Sequence, residues 1–173
     1  MAADLYSFPA FAAARASAWR PGRGSGDGVP YAEIFASGDE GSGAALALAL
    51  ARDRLLAVGT ASADTPDQRA WLWVQDGAAL RRGGRPCRSG LPRELRHRLI
   101  HVSAKSPEDA LFALEEGLRC RDLAFVIGEI AGNPRALSFT ASRRLALAVQ
   151  RHGAPLSFVG LAAALCRSPP RAS

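Results

Sequence analysis

Five short apolar runs, separated by stretches with helix chemistry, constrain this chain more than any other feature. They fall at residues 31–36, 71–74, 99–102, 123–127 and 156–159, next to turn-forming residues such as Pro30, Gly38, Gly77, Asp122, Gly128 and Pro155. Short runs of this kind, rich in β-branched and aromatic residues, read as strands. The segments between them read as helices. Residues 44–58 are strong helix formers, with Gly59 as the expected stop. Ser106, Pro107, Glu108 and Asp109 give an N-cap, a proline at the first helical position and acids in the first turn, followed by an apolar stripe of Leu111, Leu114 and Leu118. Residues 140–151 predict a third helix, capped by Thr140 and closed by Gly153, with Leu145, Ala148 and Val149 facing inward. Strands alternating with helices predict an α/β fold, with a mostly parallel sheet flanked by helices on both faces.

The rest of the chain divides around that core. Residues 1–30 carry Phe8, Phe11 and Trp19 and then a Pro/Gly/Ser-rich stretch, which reads as an N-terminal arm and linker. Residues 31–165 form the expected core, and residues 166–173 a C-terminal tail. With 173 residues, 48% of them apolar, the chain can bury a core without disulfides or structural metal. Its three cysteines, Cys87, Cys120 and Cys166, are odd in number and share no short spacing, which predicts a reducing compartment. The longest apolar run, residues 44–51, is far short of the roughly 20 residues that cross a bilayer, so a membrane role is excluded at this level. We expect a cytoplasmic protein.

Charge is uneven. Residues 1–80 hold six Arg and nine acids, net −3, whereas residues 81–173 hold 16 basic and seven acidic residues, net +9. Arg81, Arg82, Arg85, Arg88, Arg93, Arg96 and Arg98 stand against Glu94 alone, a local charge of +6 placed in a predicted loop. Such a cluster suits phosphate or an acidic protein. A solvated charged loop is the alternative reading, since only one of the 22 basic residues is Lys and codon bias accounts for part of the Arg content.

Between the first strand and the first helix lies Gly38-Asp39-Glu40-Gly41-Ser42-Gly43. Gly38 and Gly43 have the separation of the glycines in the phosphate loop G-x-x-x-x-G-K-[ST], and the loop residues Gly38, Gly41 and Gly43 lead into Ala44 and Ala45. Those two alanines stand where a Lys would neutralise the β and γ phosphates and a hydroxyl would hold magnesium. Backbone N–H groups at the helix start retain a weak affinity for anions, but ATP hydrolysis is not expected. A glycine turn ahead of a helix is the plain alternative. The fourth strand runs into Gly128-Glu129 where a magnesium-binding Asp is expected, and alternation along an extended chain turns Glu129 to the other side, so no catalytic role is assigned to it.

The order of elements, the loop at residues 38–43 and the stretch Ala110-Leu111-Phe112-Ala113-Leu114-Glu115-Glu116-Gly117-Leu118-Arg119 together resemble the ImuA family of RecA-like proteins. The similarity continues through residues 123–129 and into Leu137-Ser138-Phe139-Thr140-Ala141-Ser142-Arg143-Arg144-Leu145, which is similar to that family's LTASRRLQLA segment. It spans about residues 31–160. The resemblance implies a RecA-like core with a degenerate phosphate loop that performs no known chemistry. It also implies a role in SOS-induced, error-prone translesion repair beside the polymerase-like partner ImuB, with links to RecA. The related division inhibitor SulA is the runner-up on the same fold, and a nucleotide-gated weak ATPase using residues 38–43 is a third reading.

Other features carry less. Arg143 and Arg144 stand at a helix start, where the dipole favours acids, so contact with a partner or DNA is one reason for them and a solvated helix face the other. DNA is therefore a further candidate partner, and Phe8, Phe11 and Trp19 in residues 1–30 leave open docking of that arm on a second copy of the chain. His97 and His101 have no evident third ligand and read as loop histidines. Cys120, between Arg119 and Arg121, lacks a neighbouring base and reads as incidental. No cofactor and no covalent catalyst is expected.

Overall fold

The computed structural model describes residues 31–38, 41–61, 67–132 and 135–162. The expected N-terminal arm and C-terminal tail, together with Asp39, Glu40 and Cys166, lie outside them. Among the described residues five strands form one sheet: β1 (Tyr31–Ser37), β2 (Ala70–Asp76), β3 (Leu99–Ala104), β4 (Leu123–Ala131) and β5 (Leu156–Ala162). Their order is β1-β5-β4-β2-β3, and every neighbouring pair is parallel. The α/β class and the flanked parallel sheet are as the sequence predicts, with the sheet parallel throughout.

β4 is central and buried along all nine residues, which is why its sequence is apolar from Leu123 to Ile127 instead of alternating. From Phe125 on, alternate positions feed two separate cores. Val126 and Ile130 pack with Leu111, Leu114, Leu145 and Val149 beneath α4 (Pro107–Arg119) and α5 (Phe139–His152). Phe125 and Ile127 pack on the opposite face with Ala47, Ala51, Trp71 and Leu95, beneath α1 (Ser42–Ala61), α2 (Gly77–Gly83) and α3 (Arg93–Arg96). Trp71 stacks on Phe125 at 4.9 Å between ring centroids, and its indole N–H donates to the Leu95 carbonyl at 2.8 Å, which ties the short α3 to the sheet.

Three boundaries differ from the sequence reading. α1 continues through Gly59 to Ala61, because an interior glycine costs a helix only about 1 kcal/mol and does not break it. β4 continues past Ile127, because Gly128 is in extended backbone where an added Cβ would lie 2.8 Å from the Leu114 side chain; the glycine lets α4 approach. α5 is capped by Ser138, whose hydroxyl accepts from the Ala141 N–H at 3.3 Å, so Thr140 falls inside the first turn. Gly153 closes α5 in the left-handed conformation as expected, with φ 79°. The Arg cluster, finally, is not a loop: it folds into α2, a 3-10 turn at Arg88–Gly90, and α3.

Candidate functional site

A cleft of about 420 Å³ opens at the carboxyl ends of the strands, on the α1 face of the sheet. This is where open parallel sheets place their ligands. Gly38, Gly41 and Ala44 form one wall, Trp73, Gln75 and Glu129 line the sheet side, and Arg82, Arg85 and Cys87 lie across from the loop. Gly38, Gly41 and Ala44 therefore border a cavity. Their geometry follows from Gly43, where an added Cβ would lie 2.7 Å from the Ala36 Cβ and 2.8 Å from Val159 Cγ1, so glycine is what allows α1 to start against β1 and β5. At Gly41 a Cβ meets nothing within 4 Å. The Ala45 N–H donates to the Gly41 carbonyl at 3.0 Å, Ala44 borders the cleft, and Ala45 is exposed.

Glu129 faces this cleft, contrary to the sequence reading. It shares the α1 face with Phe125 and Ile127, while Gly128 is the residue turned toward α4. Its carboxylate is buried and accepts from Gln75 Nε2 at 2.6 Å. Burial raises its pKa, opposed by the Gln75 hydrogen bond and by the Trp73 indole, which faces the carboxylate without closing a hydrogen bond of its own. Gln75 Nε2 also donates to the Gly84 carbonyl at 3.1 Å, and Gln75 Oε1 meets His101 Nε2 at 2.8 Å. Because the amide nitrogen is already donating, the His101 ring nitrogen is the donor in that pair. His101 is thus a strand residue in a polar chain across β3, β2 and β4, not a loop histidine, and burial followed by the nearby Arg85 lowers its pKa.

The arginines divide into two groups. Arg88 donates to the Leu99 carbonyl at 3.3 Å, Arg96 to the carbonyls of Ser89 and Leu91 at 2.9 and 3.1 Å, and Arg98 to those of Glu94 and Arg69 at 2.6 and 3.1 Å. These guanidiniums satisfy orphan carbonyls of short, irregular backbone. Arg81, Arg82 and Arg85 are exposed, and the last two reach the cleft. On the opposite face of the sheet Arg144 pairs with Glu115 at 2.6 Å, which answers part of its unfavourable place near a helix start; Arg143 is exposed.

Cys87 has a lowered pKa that sequence reasoning missed. It is exposed, its Sγ lies 3.1 Å from Ser89 Oγ, and the Ser89 hydrogen bond, backbone N–H groups and Arg96 lower its pKa. The flanking Arg88 and the Ser two positions on were the available signal. Among the described residues no group of three or more His, Cys, Asp or Glu side chains is arranged to hold a metal, and no helix is long and apolar enough to cross a membrane.

No protein-family model and no curated protein matches the chain. Among solved structures, the crystal structure of SulA from Pseudomonas aeruginosa is similar at 23% identity, over 78% of this chain and 99% of that one, with a TM-score of 0.45. So loose an overlap assigns neither a family nor an activity.

Proposed function

We propose that the chain is a RecA-like accessory protein of the ImuA type, acting in SOS-induced, error-prone translesion repair by binding protein partners. The observation that carries this reading is the chemistry of the cleft. Ala44 and Ala45 occupy the helix start where a Lys and a hydroxyl are needed, and among the described residues the carboxylate lining the cleft, Glu129, is buried and bonded to Gln75. On this reading the cleft is the place of a nucleotide site whose loop lacks the Lys and the hydroxyl of the phosphate-loop pattern. The resemblance of residues 110–147 to the ImuA segment supplies the partners: the polymerase-like ImuB and RecA, with DNA as a further candidate.

The test is a pull-down, with light scattering on the purified chain to report self-association, adding RecA and ImuB separately with and without ATP. Binding that ignores ATP supports the accessory role. Binding that requires ATP would replace it with a nucleotide switch. Filamentation of cells expressing the chain, with no binding to either partner, would favour division inhibition of the SulA kind. If DNA is a partner, its affinity falls steeply as salt rises, as phosphate contacts require.

A further inference from the structure

α4 and α5 lie side by side on the face of the sheet opposite the cleft, and a groove of about 260 Å³ runs between them. Glu115 and Arg119 line it from α4, and Arg144, Leu147 and Arg151 from α5. Helical spacing places Phe112 on the same side of α4 as Glu115 and Arg119. Leu147, which lines the groove, is 47% exposed, and Phe112, on α4 beside it, is 67% exposed. Glu115 lies largely covered beneath Arg144, and Arg119 pairs with Glu116. Among the described residues Arg151 and Arg143 have no carboxylate partner. The surface therefore sets exposed apolar side chains, Leu147 and Phe112, among arginines that outnumber the acids.

We propose that this groove docks an acidic peptide segment of a protein partner, one that sets an apolar side chain against Leu147 and Phe112 and carboxylates against Arg151, Arg144 and Arg119. The proposal rests on reading the chain as a protein-binding accessory, and gives that reading a surface. Charge decides the occupant. Residues 1–30 carry three Arg against two Asp, and residues 163–173 two Arg and no acid, so neither terminus of this chain brings the negative charge the rim calls for. A second copy presenting the same face would set Arg against Arg. Nucleic acid is disfavoured by the Glu115 carboxylate in the wall and by the exposed apolar side chains of Leu147 and Phe112. Because the groove and the cleft are on opposite faces of the sheet, an occupant here leaves the cleft untouched.

The experiment selects binders to the intact chain from a displayed library of random 16-residue peptides and measures the winners by fluorescence anisotropy. Wild type is compared with Arg151→Glu, Leu147→Asp and, as a charge-matched control away from the groove, Lys105→Glu; circular dichroism verifies each fold. Selected peptides rich in Asp and Glu around one or two Leu, Phe or Trp are expected. Their Kd should weaken at least tenfold in Arg151→Glu and in Leu147→Asp and stay within twofold in Lys105→Glu. Failure to select peptides, selection of basic or neutral ones, or equal binding by all three variants overturns the proposal. So does tighter binding of a labelled 20-nucleotide single strand that is lost in Arg151→Glu, which would make the groove a nucleic-acid face. If RecA or ImuB binds wild type and both groove variants alike, the accessory reading stands and the groove falls. If neither binds while the peptides behave as expected, the groove stands and the named partners fall.

Discussion

Gln75 donates to Glu129 across the β2–β4 register, Nε2 to Oε2 at 2.6 Å, in a pair buried at the end of the cleft. The bond favours the ionised carboxylate, yet burial outweighs it and the Glu129 pKa is raised. Between the unfolded carboxylate value of about 4.3 and the raised value, the folded chain keeps a proton that the unfolded chain has lost. Stability from this group therefore falls as pH rises through that window and levels off above it. Glu129→Gln removes that part of the pH dependence. Urea midpoints at pH 4.5 and pH 7.5 should show the variant gaining on wild type at the higher pH and matching it at the lower; parallel profiles would refute the assignment.

Gly43 and Gly41 lie two residues apart and should behave oppositely. Gly43→Ala forces a Cβ against Ala36 and Val159, and overpacking of this sort costs about 1–3 kcal/mol. Gly41→Ala meets open space. A urea series is expected to show a clear loss for the first and little change for the second, and equal losses would mean that the close approach of α1 to β1 is not what fixes the loop.

Cys87 owes its lowered pKa first to Ser89. Alkylation by iodoacetamide at pH 7, followed by peptide mass spectrometry, should label Cys87 readily, and Ser89→Ala should slow that labelling several-fold. An unchanged rate would move the cause to the backbone N–H groups or to Arg96.

Leu114 is fully buried between α4 and β4 and touches the space above Gly128. Leu114→Ala removes that packing and is expected to cost about 2–5 kcal/mol in chemical unfolding. A loss below 1 kcal/mol would mean that the α4 core relaxes into the vacated space.

The strands and their parallel class were legible because buried parallel strands leave continuous apolar runs, and α4 because Ser106, Pro107, Glu108 and Asp109 encode its start locally. The end of β4 was not, since Gly128 reads as a stop in sequence and Leu114, whose approach it allows, is on another element; nor was the end of α1, since an interior glycine need not stop a helix. The same limit hid the face of Glu129: a shift of one residue in which position meets the cleft turns every side chain to the other face, and the sequence does not show that shift. The placement of Gly38, Gly41 and Gly43 beside a helix start was readable from spacing. That Arg88, Arg96 and Arg98 bind carbonyls was not, because charge counts do not show which backbone groups lack partners.

The register of β1 has a consequence for synthesis. Tyr31 pairs with Leu156, and among the described residues β5 is the single neighbour of β1. On a ribosome adding about 5–20 residues per second, the earliest strand emerges several seconds ahead of the latest, with both of its edges open in the interval. β2, β3 and β4 can assemble from nearer segments, but the half-sheet they form has no place for β1 until β5 arrives. Whatever shields Ile34 and Phe35 during that wait, a chaperone or the early docking of α1, governs how much of the newly made chain escapes aggregation.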